Sequence, residues 1–324
     1  MIIVTGGAGF LGSATVWKLN QIGRSDIVIV DELRDGEKWK NLNGLSYKDI
    51  YHKADFLDMV LDNEVPFKPE AIIHLGACSS TTEKDADYLL HNNFVYTVEL
   101  AKYALERDIR FIYASSAATY GSGEKGYDDN EDQLESLRPL NMYGYSKQMF
   151  DLWAKQNKVL DRIVGLKYFN VYGPNEFHKG DMRSVVHKSF EQIRDTGKVK
   201  LFKSNDDKYE DGGQMRDFIY VKDAVDMTLF FLDNFEANGI FNIGTGKART
   251  WNDLVKSVFT AMNKPVNIDY IDMPGHLLGK YQNFTEAKND KLKKVGYSKE
   301  ITSLEIGVED YVKNYLLKNE YLAW

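Results

Sequence analysis

Tyr143 and Lys147 stand four residues apart in the stretch RPLNMYGYSKQMF, Arg138 to Phe150. On a helix that spacing stacks two side chains on one face. A phenol held beside an ammonium is expected to lose its proton more readily, because the positive charge favours the phenolate. A group that ordinarily titrates near pH ~10 then becomes a usable proton acceptor. With 20 tyrosines and 41 lysines plus arginines in the chain, such a pair also arises by chance, so other residues must give it meaning. Ser115 and Ser116, in FIYASSAATYG, end a strand-like run, and a hydroxyl there can bond the oxygen that Tyr143 deprotonates. The chemistry these groups suit is alcohol oxidation: the hydroxyl proton goes to Tyr143 and the hydride on its carbon needs an acceptor.

A place for that acceptor lies at the start of the chain. IIVTGGAGFLGS sets Gly7, Gly9 and Gly12 in a G-x-G-x-x-G arrangement, and Gly6, Gly9 and Gly12 in G-x-x-G-x-x-G. The turn directly follows an apolar strand and opens a helix, which is the context a dinucleotide pyrophosphate needs. The glycines let the backbone approach the phosphates, and the helix N-terminus offers free N–H groups and partial positive charge. Asp31 closes the second strand, where an acid bonds ribose hydroxyls. That acid favours NAD, whereas Arg34, Lys38, Lys40 and Lys53 nearby suit the 2′-phosphate of NADP, so these residues leave both open. Within this scheme Lys147 lowers the phenol's pKa and bonds the nicotinamide ribose, and Ser116 steadies the reacting oxygen.

The elements that position these groups follow from apolar patterning. MIIVTG, DIVIVDE, EAIIHLGA, RFIYASSA and RIVGLKYFNVYG read as buried strands, with GIFNIGTG as the last. FLGSATVWKLNQIG and YLLHNNFVYTVELAKYALERD between them read as helices. Near-continuous apolar strands separated by helices predict an α/β fold, a doubly wound parallel sheet of the Rossmann kind. The less regular second half predicts a second, smaller α/β substrate lobe built from interleaved segments. The expected division is 1–167 plus about 217–243 for the dinucleotide, and about 168–216 plus 244–324 for the substrate. The acidic stretch from Phe202 to Met215 reads as an exposed loop.

Composition narrows the function. A formal net charge of −7 argues against general binding to nucleic-acid backbones. No apolar run reaches the ~18 residues of a membrane span, and MIIVTGG does not read as a signal peptide. One cysteine, Cys78, fits a reducing compartment, so a cytoplasmic location is expected. Six histidines and one cysteine show no zinc-site spacing, and no metal is expected.

TGGAGFLG, YASSAATYG, YGYSK, YFNVYGP and RDFIYVKDAV span nearly the whole chain. Through them the sequence resembles the nucleotide-sugar epimerase and dehydratase group of extended short-chain dehydrogenases/reductases. EAIIHLGACSSTTEKD, NMYGYSKQMFD, KYFNVYGPNEFHKGDMRSV and GKYQNFTEA are most similar to one branch of that group. That branch inverts C6″ of an ADP-linked heptose through a 6″-keto intermediate, supplying the lipopolysaccharide inner core. SSAATYG carries Ala117 and Ala118 where a dehydratase needs an acid, which disfavours that alternative. A 4-epimerase would not obviously need Lys179, and a non-catalytic dinucleotide-binding regulator would usually have lost Tyr143 or Lys147.

The resemblance implies further roles. Lys179, in HKG, is implied as a second acid/base that also lies against the cofactor, serving the keto group once it has turned. NADP is the implied cofactor, touching Gly6, Gly7, Gly9, Phe10, Leu11, Gly12, Asp31, Glu32, Lys38 and Lys53. Leu75, Gly76, Ala77, Cys78, Ser79, Asn92, Lys147 and Val171 complete that set. The ADP-sugar is implied to lie against Asn170, Phe202, Lys203, Ser204, Asn205, Arg216 and Tyr281, with Asp181 and Lys188 also on the substrate side. Asp181 stands where the group often has serine, Lys188 where a histidine is expected, and the loop before Arg216 is longer and more acidic. A homo-oligomer, a pentamer, is the implied assembly.

Overall fold

The computed structural model describes residues 1–275 and 281–324; the first two residues of GKYQNFTEA lie outside them. Its centre is a seven-stranded, wholly parallel sheet. The strands are β1 (Ile2–Thr5), β2 (Ile27–Asp31), β3 (Asp49–His52), β4 (Ala71–His74), β5 (Arg110–Ser116), β6 (Ile163–Tyr168) and, after three strands of other sheets, β10 (Gly239–Ile243). Their spatial order is β3-β2-β1-β4-β5-β6-β10. The reversal between β1 and β4 is the switch point at which such sheets take their ligands, outside the strand C-termini.

Period-two alternation sorts the strand side chains onto two faces. Ile2, Val4, Ile27, Ile29 and Ile73 share one core with α1 (Phe10–Gln21) and α7 (Val221–Asp233). Ile3, Val28, Val30 and Ile72 point the other way. They pack on α2 (Lys53–Leu61), α4 (Tyr96–Glu106), which α3 (Ala86–Leu89) precedes in the chain, and α5 (Met142–Gln156). Both faces are therefore dry, which is why these strands read as unbroken apolar runs.

Two small sheets stand beside the large one. β7 (Asn170–Tyr172), β9 (Met215–Tyr220) and β11 (Ala248–Thr250) form one; β8 (Val199–Phe202) pairs in parallel with β12 (Ile268–Ile271) in the other. α6 (Val185–Thr196), α8 (Trp251–Ala261), α9 (Asp290–Lys294) and α10 (Leu304–Asp310) complete the helices used below.

Four expectations are corrected. RIVGLKYFNVYG is two strands, because buried Phe169 turns the chain out of the large sheet into the three-stranded one. The strand of GIFNIGTG ends the large sheet, but β11 and β12 follow it in the chain. The run from Tyr88 to Asp108 is not one regular helix: Leu90–Val95 is a π-helical turn between α3 and α4. The loop after Phe202 is exposed only in part, since Gly212, Gly213 and Gln214 are buried.

Candidate active site

At the C-terminal end of β1 the chain turns at Gly6, whose φ is +65°. A Cβ there would stand 2.7 Å from the Cα of Gly76, so the ends of β1 and β4 cross too closely for a side chain. At Gly12, in the first turn of α1, a Cβ would stand 2.0 Å from the Gly6 carbonyl oxygen. Helix and turn thus lie backbone on backbone. Gly9 caps α1 without a side-chain acceptor, and the first turn carries no acid. Phe10 is buried there, and Leu11 and Gly7 lie in the same turn.

Acid and base meet at the end of β2. The Asp31 carboxylate, 7% exposed, accepts from the Ala8 and Glu32 N–H groups at 2.7 Å each. Lys38 pairs with the same carboxylate. Lys53 pairs with Glu32 at 2.7 Å and donates to Asn92 Oδ1 at 2.9 Å. The Lys53 ammonium, helped by Arg34, holds the Glu32 carboxyl at about 2 against the opposing effect of burial. A glycine cradle that any Cβ would fill, an uncapped helix N-terminus and two lysines beside two acids fit a dinucleotide phosphate site.

The segment after β4 leads to the chemical residues. The Gly76 N–H donates to Thr5 Oγ1 at 3.1 Å; Leu75 and Ala77 are half-buried and Ser79 is exposed. Asn93 clamps Cys78 from both sides, accepting from its N–H at 2.8 Å and donating to its carbonyl at 2.9 Å. The same amide donates to Ser146 Oγ on α5 at 3.0 Å. The π-helical turn puts Asn92 on Lys53 and Asn93 on Cys78 although they are adjacent in sequence.

Ser116, Tyr143, Lys147 and Cys78 converge at the ends of β4 and β5 and the start of α5, which Asn141 caps by accepting from the Gly144 N–H at 2.8 Å. Burial pushes the Tyr143 phenol above its ordinary value, and a hydrogen bond with Ser116 opposes that. Burial also pulls Lys147 down to about 8, against the pull of the Asp151 carboxylate. In the protein alone, then, desolvation rather than Lys147 dominates the phenol, which corrects the expected direction. The cause is physical: both charged forms are penalised when water is excluded.

Ser115 takes no part in this cluster. Its hydroxyl donates to Asp151 Oδ2 at 2.8 Å, and Tyr113 donates to Oδ1 at 2.9 Å. Lys167 of β6 pairs with the same carboxylate at 2.8 Å and donates to Thr119 at 2.5 Å. Both charged side chains are at most 1% exposed. Removing one partner of such a pair strands the other charge. Asp151→Asn is expected to lower stability by about 3–5 kcal/mol, read as a lower urea midpoint; an unchanged midpoint contradicts this account of the pair.

On the other side of the site, β9 presents Arg216, 6% exposed. Its guanidinium lies 4.9 Å from the Tyr281 ring centroid and 5.6 Å from that of Trp251, and it donates to the Met215 carbonyl at 2.9 Å. No carboxylate pairs with it among the described residues. Asp217, its neighbour in the chain, instead accepts from the N–H groups of Thr245, Gly246 and Ala287. A buried guanidinium framed by aromatic faces, with no carboxylate on it among the described residues, has the chemistry to hold an anion.

Lys179 rests 5.0 Å from the Phe10 ring centroid, bringing it to the cofactor turn. Burial lowers its pKa, and Lys188 adds to that effect while Glu176 opposes it. Val171 pairs with Ile219 across the three-stranded sheet. The other proposed substrate contacts are more dispersed. Asn170, Asp181 and Asn205 are exposed, and Phe202 closes β8 half-buried. Lys203 pairs with Asp272 at 2.9 Å, and Ser204 bonds within its own loop. Sequence reasoning missed Asn93, the Asp151–Lys167 pair, Trp251 and Glu176. Asp151 falls four residues after Lys147, and Lys167 is a cation inside an apolar strand; both were signals.

A model of the NAD dependent epimerase/dehydratase family matches residues 2–244. The chain is 57% identical over 316 residues to a Nitratidesulfovibrio vulgaris protein named ADP-L-glycero-D-manno-heptose-6-epimerase, covering 98% of each. A Fusobacterium nucleatum protein of the same name is 52% identical over 329 residues, covering 99% of each. The crystal structure of the Helicobacter pylori ADP-L-glycero-D-manno-heptose-6-epimerase superposes with a TM-score of 0.82 at 27% identity, covering 97% of this chain and 95% of that one.

Proposed function

The chain belongs to the NAD dependent epimerase/dehydratase family, and from that premise we propose that it converts ADP-D-glycero-β-D-manno-heptose to the L-glycero epimer at C6″, in supply of the lipopolysaccharide inner core. The observation that carries this reading is 57% identity over 98% of both chains to a protein bearing that enzyme's name. The site supports it: a cradle for a nicotinamide dinucleotide, an alcohol-oxidising cluster and a buried guanidinium for a diphosphate.

A nicotinamide bound in the cradle supplies a reversible hydride acceptor at carbon and, when oxidised, a positive charge that favours the phenolate of Tyr143. Tyr143 takes the C6″ hydroxyl proton, and Ser116, already bonded to the phenol, steadies the same oxygen. Buried Lys147 adds positive charge beside the phenol and bonds the nicotinamide ribose. The 6″-keto sugar turns in the pocket, and Lys179 then serves its oxygen from the other side. C6″ regains on its opposite face the hydride it lost and its oxygen regains a proton, here from Lys179, so the product is an isomer of the substrate and the reaction is redox-neutral overall.

We assign NADP as the cofactor. Asp31 is already paired with Lys38, which offsets its repulsion of a 2′-phosphate, and Lys53 lies beside it on Glu32. Arg216 holds the substrate diphosphate, with Tyr281 against it. Arg216→Gln is expected to raise KM for the ADP-sugar by roughly 10- to 100-fold with kcat little changed, the signature of lost ground-state binding; an unchanged KM removes Arg216 from the substrate site. The reading adds a homo-oligomer, a pentamer, and a cytoplasmic location suited to the single cysteine.

Incubation with ADP-D-glycero-D-manno-heptose and, separately, with UDP-hexoses tests the function. Inversion of the heptose is the expected result. Turnover of the UDP-sugars alone overturns it.

A further inference from the structure

Glu176 is a carboxylate with 0% exposure. It lies between β7 and the turn Phe177–Met182 that carries Lys179. Its two oxygens accept from the far side of that turn, from the Ser184 N–H at 2.5 Å and the Ser184 hydroxyl at 2.6 Å. Its own carbonyl accepts from the Lys179 N–H at 3.0 Å. Tyr311, fully buried beyond α10, bonds the carboxylate as well, and the Tyr311 oxygen stands 3.0 Å from His187 Nδ1 of α6. No lysine, arginine or histidine forms an ion pair with Glu176 among the described residues, although burying an unpaired carboxylate is costly. Lys179 is the cation that favours its charged form most.

We propose that Glu176 is the positioning residue of Lys179: its buried carboxylate fastens both ends of the turn from Phe177 to Arg183 and supplies the negative charge that the Lys179 ammonium faces. The inference rests on the reading of Lys179 as the second acid/base. Burial pushes the Glu176 carboxyl above its ordinary value, and the Lys179 ammonium and the hydrogen bonds from Ser184 and Tyr311 oppose that shift in favour of the charged form. On its other side the turn is anchored to the dinucleotide cradle. His178 Nδ1 lies 3.1 Å from Asn41 Nδ2, and the same amide donates to the Ala8 carbonyl at 2.9 Å. Held at both ends, Lys179 meets Phe10 of α1.

The charges around Lys179 fix the sign of the test. Glu176 favours its ammonium form; burial and Lys188 of α6 oppose it. His178, next in the chain, is held neutral by burial with its pKa at about 4, and Lys38 lies beyond it. Around Glu176 stand the neutral Tyr311 and His187, with Arg183 on the Glu191 carboxylate. Taking the charge from Glu176 therefore makes Lys179 lose its proton at lower pH.

The experiment compares epimerisation pH profiles of the wild type, Lys179→Met and Glu176→Gln. Lys179→Met is expected to abolish one limb, which identifies it. Glu176→Gln is expected to move that limb acidward by about one pH unit, a change that a purely structural role does not produce. Full activity in Lys179→Met overturns the reading of Lys179 as a base. A limb lost in Lys179→Met but unmoved in Glu176→Gln overturns only the role of Glu176. If Glu176→Gln melts below the assay temperature, Ser184→Ala decides, since it removes the hydroxyl bond to the carboxylate, leaves the Ser184 N–H bond and keeps the charge. A fall in kcat of about tenfold or more at unchanged KM supports the inference; wild-type kcat overturns it.

Discussion

Tyr143→Phe lowers epimerisation by roughly 10²- to 10⁴-fold, the range that a positioned acid/base contributes, while dinucleotide content and ADP-sugar affinity stay near wild type. The substitution removes one oxygen and keeps the ring, so packing at the start of α5 changes little. Ser116 loses its phenolic partner but remains hydrogen-bonded to the Ala118 N–H at 3.1 Å. Ser116 cannot replace the phenol, because a serine hydroxyl has no comparable acidity. Hydride departure then has no acceptor for the accompanying proton, and the loss falls on kcat. Steady-state rates measured beside a binding titration separate the two effects. Wild-type kcat in this variant removes Tyr143 from the mechanism.

Gly12→Ala abolishes dinucleotide retention and lowers activity by about 10²-fold or more, the scale of a 1 Å misplacement in an active site. The added Cβ would meet backbone only: 2.0 Å from the Gly6 oxygen, 2.6 Å from the Gly6 carbonyl carbon and 2.8 Å from the Gly7 Cα. No flexible side chain can yield, so α1 must move away from the turn that its N-terminus serves. The resulting gap opens in the phosphate cradle itself. Mass spectrometry of small molecules released from purified variant and wild type, with circular dichroism to confirm folding, reads the outcome. A variant that co-purifies with its full complement of dinucleotide contradicts the cradle.

Six strands of the central sheet were legible because a parallel sheet dry on both faces needs consecutive apolar residues. β3 was not: it is the edge strand, and Asp49, Ile50 and His52 of its four residues are exposed. β11 and β12 escaped because strands of three and four residues are too short for alternation to register. The π-helical turn at Leu90–Val95 was hidden for a different reason, since its apolar spacing is close to that of an ordinary helix.

The site divides along similar lines. Tyr143, Lys147 and the glycine turn were legible because helical spacing and strand–turn–helix order are local. Arg216 was named for its chemistry, yet its aromatic frame joins residues 251 and 281 across the chain, and no local pattern shows that. The clamp of Asn93 on Cys78 joins a π-helical turn to the segment after β4, and no local pattern shows it either. The direction of the Tyr143 shift was misjudged because spacing gives proximity to a charge but not the depth of burial, and here burial is the larger effect.

In this mechanism C6″ loses and regains the same hydride while Tyr143 handles the proton. Substrate carrying deuterium at C6″ tests it most directly, with the product followed by mass and NMR in ordinary water. An L-glycero product that retains its deuterium is the expected result. Washout of the label to solvent would mean that carbon is deprotonated rather than oxidised, and would contradict it.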